Sequence, residues 1–141
     1  MMSTSSDKTK LRDAIDAARE RGRKLSAEIL TGEEMKSSEE FAALLGVSVA
    51  TVNSKRRRGE LLGLNGAVKG YRFPVWQLNK DGKPYTTLGE LHLRLGGAWS
   101  VYRFLLQSHC AADGLTGLQV LQEAEKEKAL QIAEGFLRDF T

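Results

Sequence analysis

Four cations in a row, Lys55, Arg56, Arg57 and Arg58, close the segment SSEEFAALLGVSVATVNSKRRR at 37–58. Guanidinium and ammonium groups donate to phosphate oxygens without regard to base sequence, so such a run suits gripping a polyanion. Just upstream, Ser48, Ala50, Thr51, Asn53 and Ser54 are small, hydroxyl or amide side chains able to approach base edges, where sequence is read. Downstream, Lys69, Tyr71 and Arg72 could touch the adjacent phosphate backbone or minor groove. The alternative for the whole set is a solvated basic surface at the end of an ordinary helical pair.

Covalent and metal chemistry find weaker footing. His109-Cys110 is the one pairing that suggests a nucleophile, but sequence neighbours seldom point at each other and no orienting carboxylate is suitably spaced. Two histidines and one cysteine without repeated spacing do not make a zinc site. The glycines at 63, 66 and 70 match neither a phosphate-binding loop nor a dinucleotide fingerprint. No enzyme activity, cofactor or metal is expected.

The cations need elements to hold them. Ser37 and Glu40 form a capping box that starts a helix whose apolar face is Phe41, Ala42, Leu44 and Leu45. Gly46 can end it at positive φ, and Ser48 can cap a second helix beginning at Val49, with Thr51 near its third position. Ala42, Gly46 and Val52 fall where a helix-turn-helix needs a small residue at the helix crossing, a turn glycine and a buried aliphatic. After Gly59, Leu61, Leu62 and Leu64 lead to Asn65-Gly66, a tight-hairpin signal, with Lys69-Gly70 a second flexible point that allows a loop longer than two residues. Tyr71, Arg72 and Phe73 are the returning strand, ended by Pro74. The result is a small wing, with Val75, Trp76 and Leu78 as core closing it.

On either side lie further helices. Residues 1–7 are expected to be unordered, and Leu11, Ile15, Ala18, Gly22, Leu25 and Ile29 then recur at steps of four and three, a helical stripe that packs on its own chain or on a sister chain. The polar cluster NKDGKP at 79–84 is the best boundary. Beyond it, Leu88, Leu91, Leu93 and Leu95 predict a short helix stopped at Gly96-Gly97. Trp99, Val101, Tyr102, Phe104, Leu105 and Leu106 give a second, with a wide apolar face. Thr116 and Gln119 predict another capping box, and Leu130, Ile132, Ala133, Phe136, Leu137 and Phe140 mark a closing helix over about 123–139. The expected fold class is mainly α: a helix-turn-helix with a small β-hairpin wing, then a C-terminal helical domain. Its parts are a tail and helical arm at 1–34, the DNA-binding unit at 35–79, and a dimerisation or partner-binding unit at 85–141.

The 141 residues carry a net charge of +3, with 41% hydrophobic and 28% charged side chains, a normal folded balance. The basic excess is local: Lys55, Arg56, Arg57, Arg58, Lys69 and Arg72 face Glu60 alone over 55–72. Cys110 is the single cysteine, so no intramolecular disulfide forms, and no cationic start precedes an apolar run. No apolar stretch approaches the length that spans a bilayer. The cytoplasm is the expected compartment, with no membrane association.

The C-terminal unit resembles the toxin-binding region of Xre/MbcA/ParS-type antitoxins. Gly97, Trp99 and Phe104-Leu105 match its glycine and apolar helix, and DGLTGLQVL at 113–121 is similar to its G-x-T-P-L-x-x-L signature, with Gly117 where proline is common. The resemblance covers about 88–137. It implies a protein that represses its own operon, dimerises and blocks a RES-domain toxin that consumes NAD, with Trp99, Ala111, Asp113, Gly114, Leu115, Thr116 and Leu118 meeting that partner. The N-terminal half, SVATVNSKRRRG followed by GYRFPVWQL, is similar instead to MerR- or excisionase-like winged readers. The expected function is therefore a homodimeric, antitoxin-like regulator bound to double-stranded DNA. The alternatives are a protein-interaction module that inhibits or scaffolds an enzyme, and a phage-type excision or architectural factor.

Overall fold

The computed structural model describes residues 4–123 and 125–138. It is mainly helical, with one small antiparallel sheet. In chain order the elements are α1 (Thr4–Leu30), β1 (Met35–Lys36), α2 (Ser38–Leu45), α3 (Val49–Arg57), β2 (Phe73–Pro74), α4 (Leu88–Leu95), α5 (Ala98–Leu106), α6 (Gly117–Gln122) and α7 (Lys126–Arg138). Short 3-10 turns occupy Val75–Gln77 and Cys110–Ala112.

Local chemistry sets most boundaries. Ser37 Oγ accepts from the Glu40 N–H at 3.1 Å and Glu40 Oε1 accepts from the Ser37 N–H at 3.0 Å, a complete capping box at the start of α2. Gly46 ends α2 at φ 70 and Ser48 Oγ caps α3 through the Thr51 N–H at 3.1 Å. The same reciprocal box links Thr116 and Gln119 at α6, and Gly96 at φ 82 stops α4. At the N-terminus the expected unordered stretch is corrected in part: α1 begins at Thr4, so Thr4 to Asp7 are helical, while residues 1–3 lie outside the described residues. The closing helix starts at Lys126, later than expected, and Asp139, Phe140 and the Leu137 side chain lie outside the described residues.

The hairpin takes the longer of its two expected loops. Leu64 and Arg72 exchange both backbone bonds at 2.8 and 2.7 Å, but Asn65-Gly66 makes no two-residue turn, because the connection runs through 65–71 before pairing resumes. The register that sets Leu64 opposite Arg72 would next set Leu62 opposite Pro74, which has no N–H to give. A side chain takes that place. The buried Gln77 amide accepts from the Leu62 N–H at 2.8 Å and donates to the Leu62 carbonyl at 2.9 Å and the Pro74 carbonyl at 3.0 Å. Phe73 and Pro74 pair on their other edge with Lys36 and Met35, and the short strand ends at Pro74, as expected.

Two apolar interiors result. Phe41, Ala42, Val52, Leu61 and Phe73 enclose the smaller one between α2, α3 and β2, with Phe41 and Phe73 stacked at 5.1 Å. The larger contains Leu30, Met35, Leu62 and Leu64 together with the buried faces of α4 to α7, so it passes across the polar turn at 79–84. Trp76 packs into this larger interior and Leu78 into the smaller.

Candidate nucleic-acid interface

α3 is amphipathic by necessity, since Val52 is its fully buried residue and anchors it on Phe41 and Phe73. Ser48 and Ala50 at its start are exposed, and Thr51, Asn53, Ser54 and Lys55 are half-buried. The Ser48 and Thr51 hydroxyls lie 3.0 Å apart, so Thr51 is engaged in the cap. Asn53 is the one amide side chain on α3.

The basic run divides by role. Arg57 and Arg58 are exposed, and Arg58 Nε meets Glu60 at 2.6 Å in a solvent-facing pair. Arg56 turns back on its own protein: its guanidinium carbon lies 3.7 Å from the Tyr71 ring centroid and its aliphatic stem covers Gly63, where an added Cβ would stand 2.7 Å from Arg56 Cδ. Its Nε is buried and unpartnered. Sequence reasoning that groups Arg56 with phosphate-facing cations misses this stack, for which no local signal exists.

That stack brings the 65–71 connection alongside α3. Lys69 is exposed, Tyr71 and Arg72 are half-buried, and Arg72 Nη1 donates to the Tyr71 carbonyl at 3.1 Å. The other end of the connection is tied to α5 by Trp99, whose indole N–H donates to the Asn65 carbonyl at 2.9 Å. Lys36 and Arg72 lie close enough to Glu40 to join the Ser37 backbone and hydroxyl, the main causes, in holding its carboxyl below the usual range.

The residues expected to meet a protein partner do not form one open patch. Trp99 rests edge-on against Tyr102 at 5.4 Å, and Trp99, Leu115 and Leu118 pack against the larger interior. Thr116 is spent on the α6 cap. Ala111, Asp113 and Gly114 are exposed, the last two in left-handed backbone at φ 56 and 85. Gly117 is buried where an added Cβ would lie 2.6 Å from the Phe104 carbonyl oxygen, so no larger residue fits.

His109 and Cys110 do not face a common site. The buried His109 lies tilted against Phe104 and edge-on to Phe136, and its Nε2 lies 2.8 Å from the Phe104 carbonyl, which can only accept, so the ring donates. Cys110 is exposed. Among the described residues no cluster of potential metal ligands occurs and no helix is long and apolar enough to cross a membrane.

No family model and no curated protein matches the chain. Among solved structures, the NMR structure of Rv2175c is similar, with a TM-score of 0.65 at 19% identity over 76% of this chain and 83% of that one. The shared fold is what that likeness establishes.

Proposed function

We propose that the chain is a homodimeric regulator that binds double-stranded DNA, with α2, the Gly46 turn and α3 acting as a helix-turn-helix and the 65–71 connection as its wing. α3 enters the major groove in this reading. Asn53 reads a base edge, Lys55, Arg57 and Arg58 meet phosphates, and Lys69 and Arg72 meet the flanking backbone. The observation that carries it is the contact of Arg56 with Tyr71, which joins two basic segments distant in sequence at adjoining positions. The proposal stops at DNA, because Trp99, Leu115 and Leu118 are engaged within their own fold.

Fluorescence anisotropy with duplexes from the region upstream of the gene and with scrambled duplexes tests it. The logarithm of affinity should fall with the logarithm of salt by about 0.9 for each phosphate contacted. Arg57→Ala should weaken both duplexes alike, whereas Asn53→Ala should cost about 1–3 kcal/mol on the preferred duplex only. Binding that ignores salt, or no binding at all, removes the proposal.

A further inference from the structure

Every residue of α1 from 7 to 25 is exposed, so most of this 27-residue helix stands clear of the body, which holds its C-terminal end through Ser26 against Gly66 and through Ile29 and Leu30 in the larger interior. Leu11, Ile15 and Leu25 on its seam are 62%, 42% and 58% exposed, and nothing lies within 4 Å of where a side chain on Gly22 would start. An isolated helix with a thin apolar seam and a central glycine is marginal in water. The steps of four and three through Leu11, Ile15, Ala18, Gly22 and Leu25 are those of a two-stranded coiled coil.

We propose that α1 of a second copy covers this seam, parallel and in register, and that α1 is thereby the dimerisation arm. This rests on the homodimeric part of the function proposed above. Charge selects both the occupant and its direction. With Lys8, Ile15 and Gly22 at the a positions and Leu11, Ala18 and Leu25 at the d positions, Asp7, Ala14 and Arg21 flank one side of the seam and Arg12, Arg19 and Ser26 the other. In a parallel pair each of the first set meets the residue five further along the second copy. Asp7 then faces Arg12, an attractive pair, while Ala14 faces Arg19 and Arg21 faces Ser26. Among these flanking residues no like charges meet, and Lys8 meets Lys8 at the outermost layer, a polar pair at a single a position that specifies register at a cost in stability. The antiparallel pairing that matches the layers instead sets Arg19 against Arg19 and Arg21 against Arg21.

Size agrees with charge. In register, Ala18 meets Ala18 and Gly22 meets Gly22, so the helices approach closely at mid-seam, with the larger side chains closing the layers to either side. A parallel arm also carries both α3 helices at the same end of the pair, an arrangement compatible with a two-fold operator.

The full-length chain with Cys110→Ser, assayed without DNA, provides the test. Light scattering at micromolar concentration should report a dimer. Ala18→Cys should oxidise to a covalent dimer, Asp13→Cys on the opposite face should not, and Ile15→Asp with Leu25→Asp should give a monomer whose body melts as before. Crosslinking only in mixtures of Ala18→Cys with Gly22→Cys overturns the parallel arrangement. A dimer that survives the paired aspartates, or one crosslinked equally at 13 and 18, overturns the arm but leaves the homodimer. A monomeric wild type removes both, and DNA binding is judged separately.

Discussion

The guanidinium of Arg56 lies flat enough over Tyr71 to put its central carbon 3.7 Å from the ring centroid, and this contact fixes the 65–71 connection against α3. Stacking of this kind is worth about 0.5–2 kcal/mol. Arg56→Ala should therefore speed amide exchange at Leu64 and Arg72, whose mutual bonds close the connection. Tyr71→Phe should leave exchange nearly unchanged, since the ring face remains. Arg57→Ala should lower the salt dependence of DNA affinity by about 0.9 without altering exchange. Equal exchange in wild type and Arg56→Ala would show that the stack holds nothing in place.

Gln77 should be among the least replaceable residues. Gln77→Leu leaves the buried Leu62 N–H and the carbonyls of Leu62 and Pro74 without their partner, and each orphaned group costs about 1–3 kcal/mol. A loss of about 3 kcal/mol or more in urea unfolding is expected. Gln77→Glu should be no milder, because a carboxylate places acceptors against two carbonyl oxygens.

Two glycines offer a paired test of packing. Gly117→Ala would drive a methyl group into the Phe104 carbonyl and ring and should destabilise by about 1–3 kcal/mol. Gly135, inside α7, has nothing within 4 Å of the added carbon and needs no positive φ. Gly135→Ala should stabilise by about 0.4–1 kcal/mol. Thermal melts of the two variants should move in opposite directions.

The α2 cap should be visible in the pH dependence of stability. The Ser37 N–H and hydroxyl hold the Glu40 carboxyl below its ordinary value, so the folded state binds that proton less readily than the unfolded chain. The stabilisation is present above the unfolded carboxyl's pKa and is lost as pH falls through the lower folded value. Denaturant midpoints of wild type and Glu40→Gln should differ at neutral pH and converge in acid. Ser37→Ala should cost about 1 kcal/mol at neutral pH.

Caps were legible in the sequence because their partners are three residues apart: Ser37 with Glu40, Ser48 with Thr51, Thr116 with Gln119. Gly46 and Gly96 were legible for the same reason, since ending a helix at positive φ is a local event. The contacts that shape the candidate interface join distant residues and leave no spacing to read. Trp99 reaches Asn65, Arg56 reaches Tyr71, and Gln77 reaches Leu62. Asn65-Gly66 forms no two-residue turn, and tertiary contacts claim both residues. The Asn65 carbonyl is bonded by Trp99, and Gly66 lies so close to the Ser26 hydroxyl that an added Cβ would stand 2.7 Å from it.

Because Leu30, Met35, Leu62 and Leu64 share one apolar interior with the helices beyond residue 84, the exposed polar turn at Asp81-Gly82 is a place to cut the chain without parting it. A protease that nicks there should yield two fragments that elute together and separate only in denaturant. Exchanging the C-terminal helices for those of an unrelated protein would remove the side chains against which Leu62 and Leu64 pack, so halves cannot be traded at that turn.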